Sequence, residues 1–207
     1  MPSAASVFVV DDDASVRKSL TRLIETAGYT VESFASAREF LERMPSREPC
    51  CLVLDVRMPG MTGLDLQKAL GKAVHQIPVV FVTGHGEVSM GINAMKAGAV
   101  DFLTKPFDRK DLLDAIGRAV ARDTRTLTIE ARTGSIHARV NTLTPRERQV
   151  FALVVTGMLN KQIAAALGIA EKTVKVHRAR VMEKMRAGSV AELVRLDDEV
   201  GVIVTKA

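Results

Sequence analysis

The sequence predicts an α/β fold, a doubly wound five-stranded parallel sheet, followed by a second, smaller all-α domain. Three observations predict it. Apolar runs and helix-period segments alternate five times through the first 122 residues, the pattern of repeated β-α units. Residues 144–196 then carry helical periodicity with helix caps and no strand-like runs. The charge divides at the same place: residues 1–122 hold 15 basic and 15 acidic side chains, whereas 144–195 hold 10 basic against 4 acidic. Residues 123–207 together hold 14 basic and 9 acidic side chains, so the whole net charge of +5 lies there. A basic surface serves solubility as well as binding, but a neutral domain beside a basic one suggests that the second faces a polyanion.

Each element follows from local pattern. The run Val7-Phe8-Val9-Val10 ends in Asp11-Asp12-Asp13. A helix over 14–26 follows, with Val16, Leu20, Leu23 and Ile24 on one face and Gly28 as its stop. Residues 30–34 read as a strand and 35–44 as a helix. The run over 51–54 ends at Asp55, Met58-Pro59-Gly60 is a turn, and 62–73 is a helix. Residues 77–82 form an apolar strand ending at Thr83-Gly84, and 88–97 a helix closed by Gly98. A short strand over 99–104 precedes Lys105-Pro106, and a helix over 108–121 ends this domain (1–122). The three fully apolar runs are the strands expected to be covered on both faces.

Residues 123–141 are polar, rich in Arg and Thr, and weakly periodic. They read as a linker, with 126–129 as a stray extended piece. The second domain, 142–207, opens on Thr144-Pro145-Arg146-Glu147: an N-cap, a proline in the first turn and a capping-box glutamate. Helices over 160–167 and 171–185 flank the turn Gly168-Ile169-Ala170. Ser189 caps a last helix through Leu196, and a short tail follows.

Composition sets further bounds. With 207 residues, 47% hydrophobic and 26% charged, the chain can bury a core, and extensive disorder is excluded. Charge interrupts every apolar run well before the roughly 18 residues of a membrane span. No secretory pattern is visible at the N-terminus. Cys50 and Cys51 are adjacent, which suits a reducing compartment and makes cytoplasm the default location. They are expected to be buried at a strand start. His75 and His137 read as surface residues.

An open α/β sheet places its site at the carboxyl ends of its strands. The residues there are Asp11, Asp12, Asp55, Thr83 and Lys105. Three carboxylates at adjacent strand ends would repel one another, and a divalent cation relieves this. Hard oxygen ligands favour Mg²⁺, which takes one or two carboxylates and keeps several waters. A carboxylate can also accept a phosphoryl group as an acyl phosphate. Lys105 and Thr83 would then neutralise and bind its oxygens. A lone aspartate at a strand end is more often a helix cap, and Asp13 is so assigned.

The motifs Val9-Val10-Asp11-Asp12, Asp55-Val56-Arg57-Met58-Pro59-Gly60, Thr83-Gly84 and Lys105-Pro106-Phe107 resemble the receiver domain of two-component response regulators, a flavodoxin-like fold. The resemblance covers about residues 5–121. It implies that Asp55 is the phosphoacceptor for a sensor histidine kinase. It implies Mg²⁺ (or Mn²⁺) held by Asp12, Asp55 and the backbone carbonyl of Arg57, with Asp11 acting largely through water. It implies a cis peptide before Pro106 and a switch role for Phe102, turning inward as Thr83 moves toward the phosphoryl group. A plain core aromatic is the alternative reading of Phe102. Arg57 and His85 occupy positions that tune phosphoryl lifetime in this family, and two large residues there predict slow self-dephosphorylation.

In the second domain, Leu143-Thr144-Pro145-Arg146-Glu147, Asn160-Lys161-Gln162-Ile163-Ala164 and Thr173-Val174-Lys175-Val176-His177 resemble the LuxR-type helix-turn-helix domain over about 142–196. The helix over 171–185 can lie in a major groove, with Val174, Val181 and Met185 packed inward. The resemblance implies DNA contacts from Lys172, Thr173, Lys175, Val176, His177 and Arg178, with base edges read at Lys175 and Val176. Lys172 and Arg178 are expected on phosphates. A further contact position falls on Ala179, often basic in relatives. The whole chain resembles a FixJ/NarL-type response regulator, and Gly84-His85-Gly86 and Met95-Lys96-Ala97-Gly98-Ala99 lean toward the FixJ and styrene-response branch.

The function this implies is a transcription regulator, not an enzyme. Phosphorylation of Asp55 would promote homodimerisation and double-stranded DNA binding, with RNA polymerase as a further partner and activation as the implied sense. A phosphohydrolase using Asp55 is the enzymatic alternative. Against it, Arg57 stands where aspartyl phosphatases commonly carry an acid/base catalyst, and no substrate-enclosing cap is present. A DNA binder with a fixed, unphosphorylated receiver is the third reading.

Overall fold

The computed structural model describes residues 5–43, 48–71, 76–84 and 88–201. The chain divides into two compact units, 1–128 and 129–207. The first runs β1 (Ser6–Val10), α1 (Ala14–Thr26), β2 (Thr30–Phe34), α2 (Ala37–Glu42), β3 (Cys50–Asp55), α3 (Gly63–Leu70), β4 (Val79–Thr83), α4 (Val88–Lys96) and β5 (Asp101–Thr104), then enters α5 (Arg109–Asn141). Every strand pairing is parallel and the order is β2-β1-β3-β4-β5. The three apolar runs are thus the central strands.

Side-chain alternation splits the core in two. Phe8, Val10, Leu52, Leu54 and Phe81 pack with Phe34, Phe40 and Leu66 on one face. Val7, Val9, Val53, Val80 and Val82 pack with Leu20, Ile24, Leu112 and Ile116 on the other. Burial of both faces removes any polar alternation, which is why these strands read as continuous apolar runs. Helix starts are set by side-chain caps. Asp13 accepts the amides of Ser15 and Val16 at 2.7 and 3.3 Å. Ser36 and Thr62 cap α2 and α3 in the same way, so both helices begin just after the polar residue that the periodicity alone would include. Cys50 and Cys51 are buried, unpaired thiols that fall in opposite faces of the core. Burial, with the Asp123 charge added, pushes the Cys50 thiol up to about 12, and burial raises Cys51 too, so neither is a thiolate at neutral pH.

Residues 123–141, expected as a linker with an extended piece at 126–129, are helical throughout and continuous with α5. Asp123 belongs to the first unit. It is 0% exposed, and its Oδ2 accepts the Cys50 amide at 2.9 Å. Ile136 and Val140 are buried in the second unit's core. Between them, Thr124, Thr126 and Thr128 turn their hydroxyls back onto the carbonyls four residues earlier. Those bonds satisfy the hydroxyls within the helix, in a segment whose composition disfavours it.

The second unit contains α6 (Pro145–Val155), α7 (Asn160–Leu167), α8 (Glu171–Met185) and α9 (Val190–Val200). The last helix runs four residues beyond the predicted end at Leu196 and closes on Gly201. The Thr144 capping box is present. Glu147 Oε2 accepts the Thr144 amide at 2.9 Å and also the Lys184 ammonium at 2.6 Å. Val150, Phe151, Ile163, Val174, Val181, Met185 and Leu193 form the core, with Met182 at its edge. Gly168 turns α7 into α8 at φ 63°, a left-handed conformation that suits glycine. His137 is exposed, while His75 and His85 lie outside the described residues.

Two stability predictions follow from the buried carboxylates. Replacing Asp123 with Ala leaves the buried Cys50 amide without its acceptor and should cost the first unit about 1–3 kcal/mol, whereas Asp123→Asn keeps an acceptor and should cost less. Urea denaturation followed by the fluorescence of Tyr29, the single tyrosine in a chain with no tryptophan, reads this unit. In the second unit, the Lys184 hydrogen bond, followed by the Thr144 amide, holds the Glu147 carboxyl at about 2, below its ordinary 4.5. A depressed folded-state pKa gives stability that is complete above about pH 4.5 and lost as pH falls toward 2. Glu147→Gln should flatten the pH dependence of amide-exchange protection in α6 and α8 across that window.

Candidate functional site

Strand register assembles the first site. Val10 pairs with Leu54, so Asp11 and Asp55 lie at neighbouring strand ends. Asp55 pairs with Val82, which brings Thr83 beside it, and Thr83 pairs with Thr104, just before Lys105. The Lys105 amide donates to the Thr83 carbonyl at 2.7 Å. All of the strand-end residues except Asp12 are thereby drawn inward: Asp11 is 2% exposed, Asp55 6% and Thr83 1%. Asp12 faces solvent.

The Lys105 ammonium bridges the two buried carboxylates, 2.7 Å from Asp11 Oδ2 and 3.3 Å from Asp55 Oδ1. The remaining oxygens are also engaged. Asp11 Oδ1 accepts the Asp13 amide at 2.9 Å, and Asp55 Oδ2 accepts the Arg57 amide at 2.7 Å. Arg17, which the sequence did not single out, donates to the Asp11 carbonyl at 2.7 Å. Burial pushes the Asp55 carboxyl up. The Lys105 charge and the Arg57 amide oppose this, the Asp11 charge adds to it, and the net direction is upward. Burial pulls Lys105 down, but its bonds to Asp11 and then Asp55 outweigh that, and its pKa lies above the ordinary value. The peptide before Pro106 is cis.

Among the described residues, no three His, Cys, Asp or Glu side chains gather as a metal-holding group. The donor set still fits Mg²⁺. Two buried carboxylates and an exposed third stand at adjacent strand ends, all with hard oxygens, and Mg²⁺ needs only one or two of them. Asp11 is itself held by Lys105, so the two compete for one charge.

Phe102 is half-buried. Its ring lies 6.1 Å from that of Phe81, and a Cβ on Gly91 of α4 would stand 3.3 Å from its Cδ1. The aromatic thus packs against α4 beside the strand that carries Thr83. Gly63 is a second close approach, missed at the sequence level: a Cβ there would stand 2.2 Å from the Asp55 carbonyl oxygen. This brings the start of α3 directly over the Asp55 backbone.

In the second unit, Lys172, Thr173, Lys175 and Val176 are exposed on the first two turns of α8, and Val176 is 46% exposed despite being apolar. His177 and Arg178 are half-buried. Arg178 donates to Asn160 Oδ1 of α7 at 2.9 Å, and the His177 Nδ1 is buried without a hydrogen-bond partner. The structure therefore separates the six predicted contacts into four exposed residues and two half-buried ones, of which Arg178 is tied to α7. Ala179 is exposed.

The first unit is thus a parallel α/β domain with a lysine-bridged pair of carboxylates at its strand ends, and the second a helix-turn-helix unit with a basic exposed face. Residues 7–117 match the response regulator receiver domain, and 141–196 match the bacterial regulatory proteins of the luxR family. The chain is 48% identical to Nodulation protein W of Bradyrhizobium diazoefficiens over 96% of its own length and 87% of that protein's. It is 42% identical to the transcriptional regulatory protein FixJ of the same organism, over 98% and 99% of the two chains. The structure of the response regulator StyR superposes with a TM-score of 0.88 at 46% identity, covering 95% of this chain and all of that one. The chain belongs to the two-component response regulators with a LuxR-type DNA-binding domain, in company with FixJ and StyR, a family of transcription regulators rather than enzymes. Among the described residues, no helix is long and apolar enough to cross a membrane.

Gly63→Ala should displace α3 or the Asp55 carbonyl and destabilise the first unit by roughly 1–3 kcal/mol. Urea denaturation measures the cost. Unchanged stability would mean that α3 can draw back from Asp55 freely.

Proposed function

We propose that Asp55 accepts a phosphoryl group from a phosphohistidine of a sensor kinase, and that this controls DNA binding by the second domain. The observation that carries the reading is the Lys105 bridge: a buried aspartate at a strand end has a cation at 3.3 Å from one carboxylate oxygen. In the transfer an Asp55 oxygen forms the new P–O bond as the P–N bond to the histidine breaks. Mg²⁺, held by Asp12, Asp55 and the Arg57 carbonyl with Asp11 alongside, would neutralise the phosphoryl oxygens. Lys105 would move its charge from the free carboxylate to the phosphoryl group. The Thr83 hydroxyl would donate to a phosphoryl oxygen, and Phe102 would follow it inward.

The switch then favours a homodimer that presents two α8 helices to half-sites on duplex DNA. Lys175 and Val176 would read base edges, with Lys172 and Thr173 beside them on the backbone. His177 and Arg178 contribute to the DNA face, Arg178 while also bracing the helix through its bond to Asn160. The regulatory sense proposed is activation, with RNA polymerase as partner in the cytoplasm.

Incubation with acetyl phosphate and Mg²⁺ should give a slower band on a phosphate-affinity gel for the wild type and none for Asp55→Asn. Sedimentation velocity with beryllofluoride, a phosphoryl mimic, should shift the wild type alone to dimer. Equal labelling of Asp55→Asn would put the phosphoacceptor elsewhere. A labelled wild type that stays monomeric would sink the dimer step.

A further inference from the structure

We propose that Arg139, on the last turns of α5, is a positioning residue for DNA reading: it sets the tilt of α8 from the end opposite its base-reading turns. The inference rests on the DNA-binding reading above and extends it to a residue outside the matched 141–196 domain.

The last four carbonyls of a helix lack intrahelical partners and attract cations. Two cations hold the C-terminal turn of α8. Arg139 Nη1 donates to the Met185 carbonyl at 3.2 Å. Lys184 Nζ donates to the Thr142 carbonyl at 3.1 Å and to Glu147 Oε2 at 2.6 Å. The end of α5 and the end of α8 thus hold each other reciprocally, a side chain of each on a carbonyl at the end of the other's segment. Arg132 adds a bidentate pair to Glu199 of α9, both contacts at 2.6 Å. Ile136 and Val140 share the core that holds Val181 and Met185. Directly after the contact, Arg186 adopts φ 54° as the left-handed cap that ends α8, its amide on the Glu183 carbonyl at 3.0 Å and that of Ala187 on the Met182 carbonyl at 2.9 Å.

Leverage turns this clamp into specificity. From Lys172 to Met185 is about 20 Å along the helix axis, so a tilt of roughly 5° about the C-terminal end moves the first turn by about 2 Å. Hydrogen bonds to base edges do not tolerate that error, whereas attraction to phosphates does. Loss of Arg139 should therefore weaken specific binding and spare non-specific binding. The pattern differs from that of a phosphate contact, which is lost uniformly across sequences.

The test uses the full chain activated throughout with beryllofluoride and Mg²⁺. A duplex selected by the wild type from a random pool is compared with a random-sequence duplex of equal length, over a salt series. Arg139→Met and Arg139→Gln should weaken binding to the selected duplex by roughly five- to tenfold, stay within about twofold of wild type on the random one, and keep the salt slope. Arg139→Lys, which can still donate to the Met185 carbonyl, should recover most of the loss. Circular dichroism confirms that each compared variant keeps its helices. Equal losses on both duplexes with a slope lower by about one would make Arg139 a phosphate contact and overturn the proposal. So would equal losses at an unchanged slope, or wild-type affinity for the selected duplex. A wild type that selects no sequence would overturn the DNA-reading assignment itself, and this inference with it.

Discussion

Two buried carboxylates at adjacent strand ends are tolerable only because one ammonium lies between them. Lys105 reaches from the end of β5 to Asp11 and Asp55, 94 and 50 residues away in sequence. A carboxylate left unpaired there would face the full cost of lost hydration. The parallel register of β1, β3, β4 and β5 brings the three groups together, and α3 closes over Asp55 only because residue 63 has no Cβ. A metal or a phosphoryl group entering this pocket would redistribute a charge balance that already exists.

The second unit solves a similar problem with Glu147. Its carboxylate is 2% exposed, and it serves at once as a capping-box acceptor and as the partner of Lys184. One side chain thus ties the start of α6 to the end of α8. Arg139 approaches the same helix end from α5. On the exposed first two turns of α8, Arg178 donates to Asn160 Oδ1 of α7.

Helix α5 joins the two halves of the sequence in an unexpected way. Leu112, Ala115, Ile116 and Ala119 bury against the sheet, and Ile136 and Val140 in the second core. Its middle is polar and carries three threonines. Read as a local pattern, that middle looks like a linker. Its threonine hydroxyls turn back onto carbonyls four residues earlier, so the helix there leaves no hydrophobic period to read. The cysteines show the reverse case: adjacent residues on a buried strand point to opposite faces, and burial alone accounts for them.

Alternation of apolar runs and amphipathic helices, together with capping residues, determined the fold class, the strand-end residues and the helix-turn-helix. These are local properties, because periodicity and caps act over a few residues. The same text could not say that Asp12 faces outward while Asp11 is held by Lys105, that residue 63 must lack a Cβ, or that Arg139 rests on a carbonyl 46 residues later. Those facts depend on register and on packing between distant segments, where a difference of an ångström decides whether charges pair. The chemistry was written in residue types at strand ends, and its geometry was settled only when the strands lay side by side.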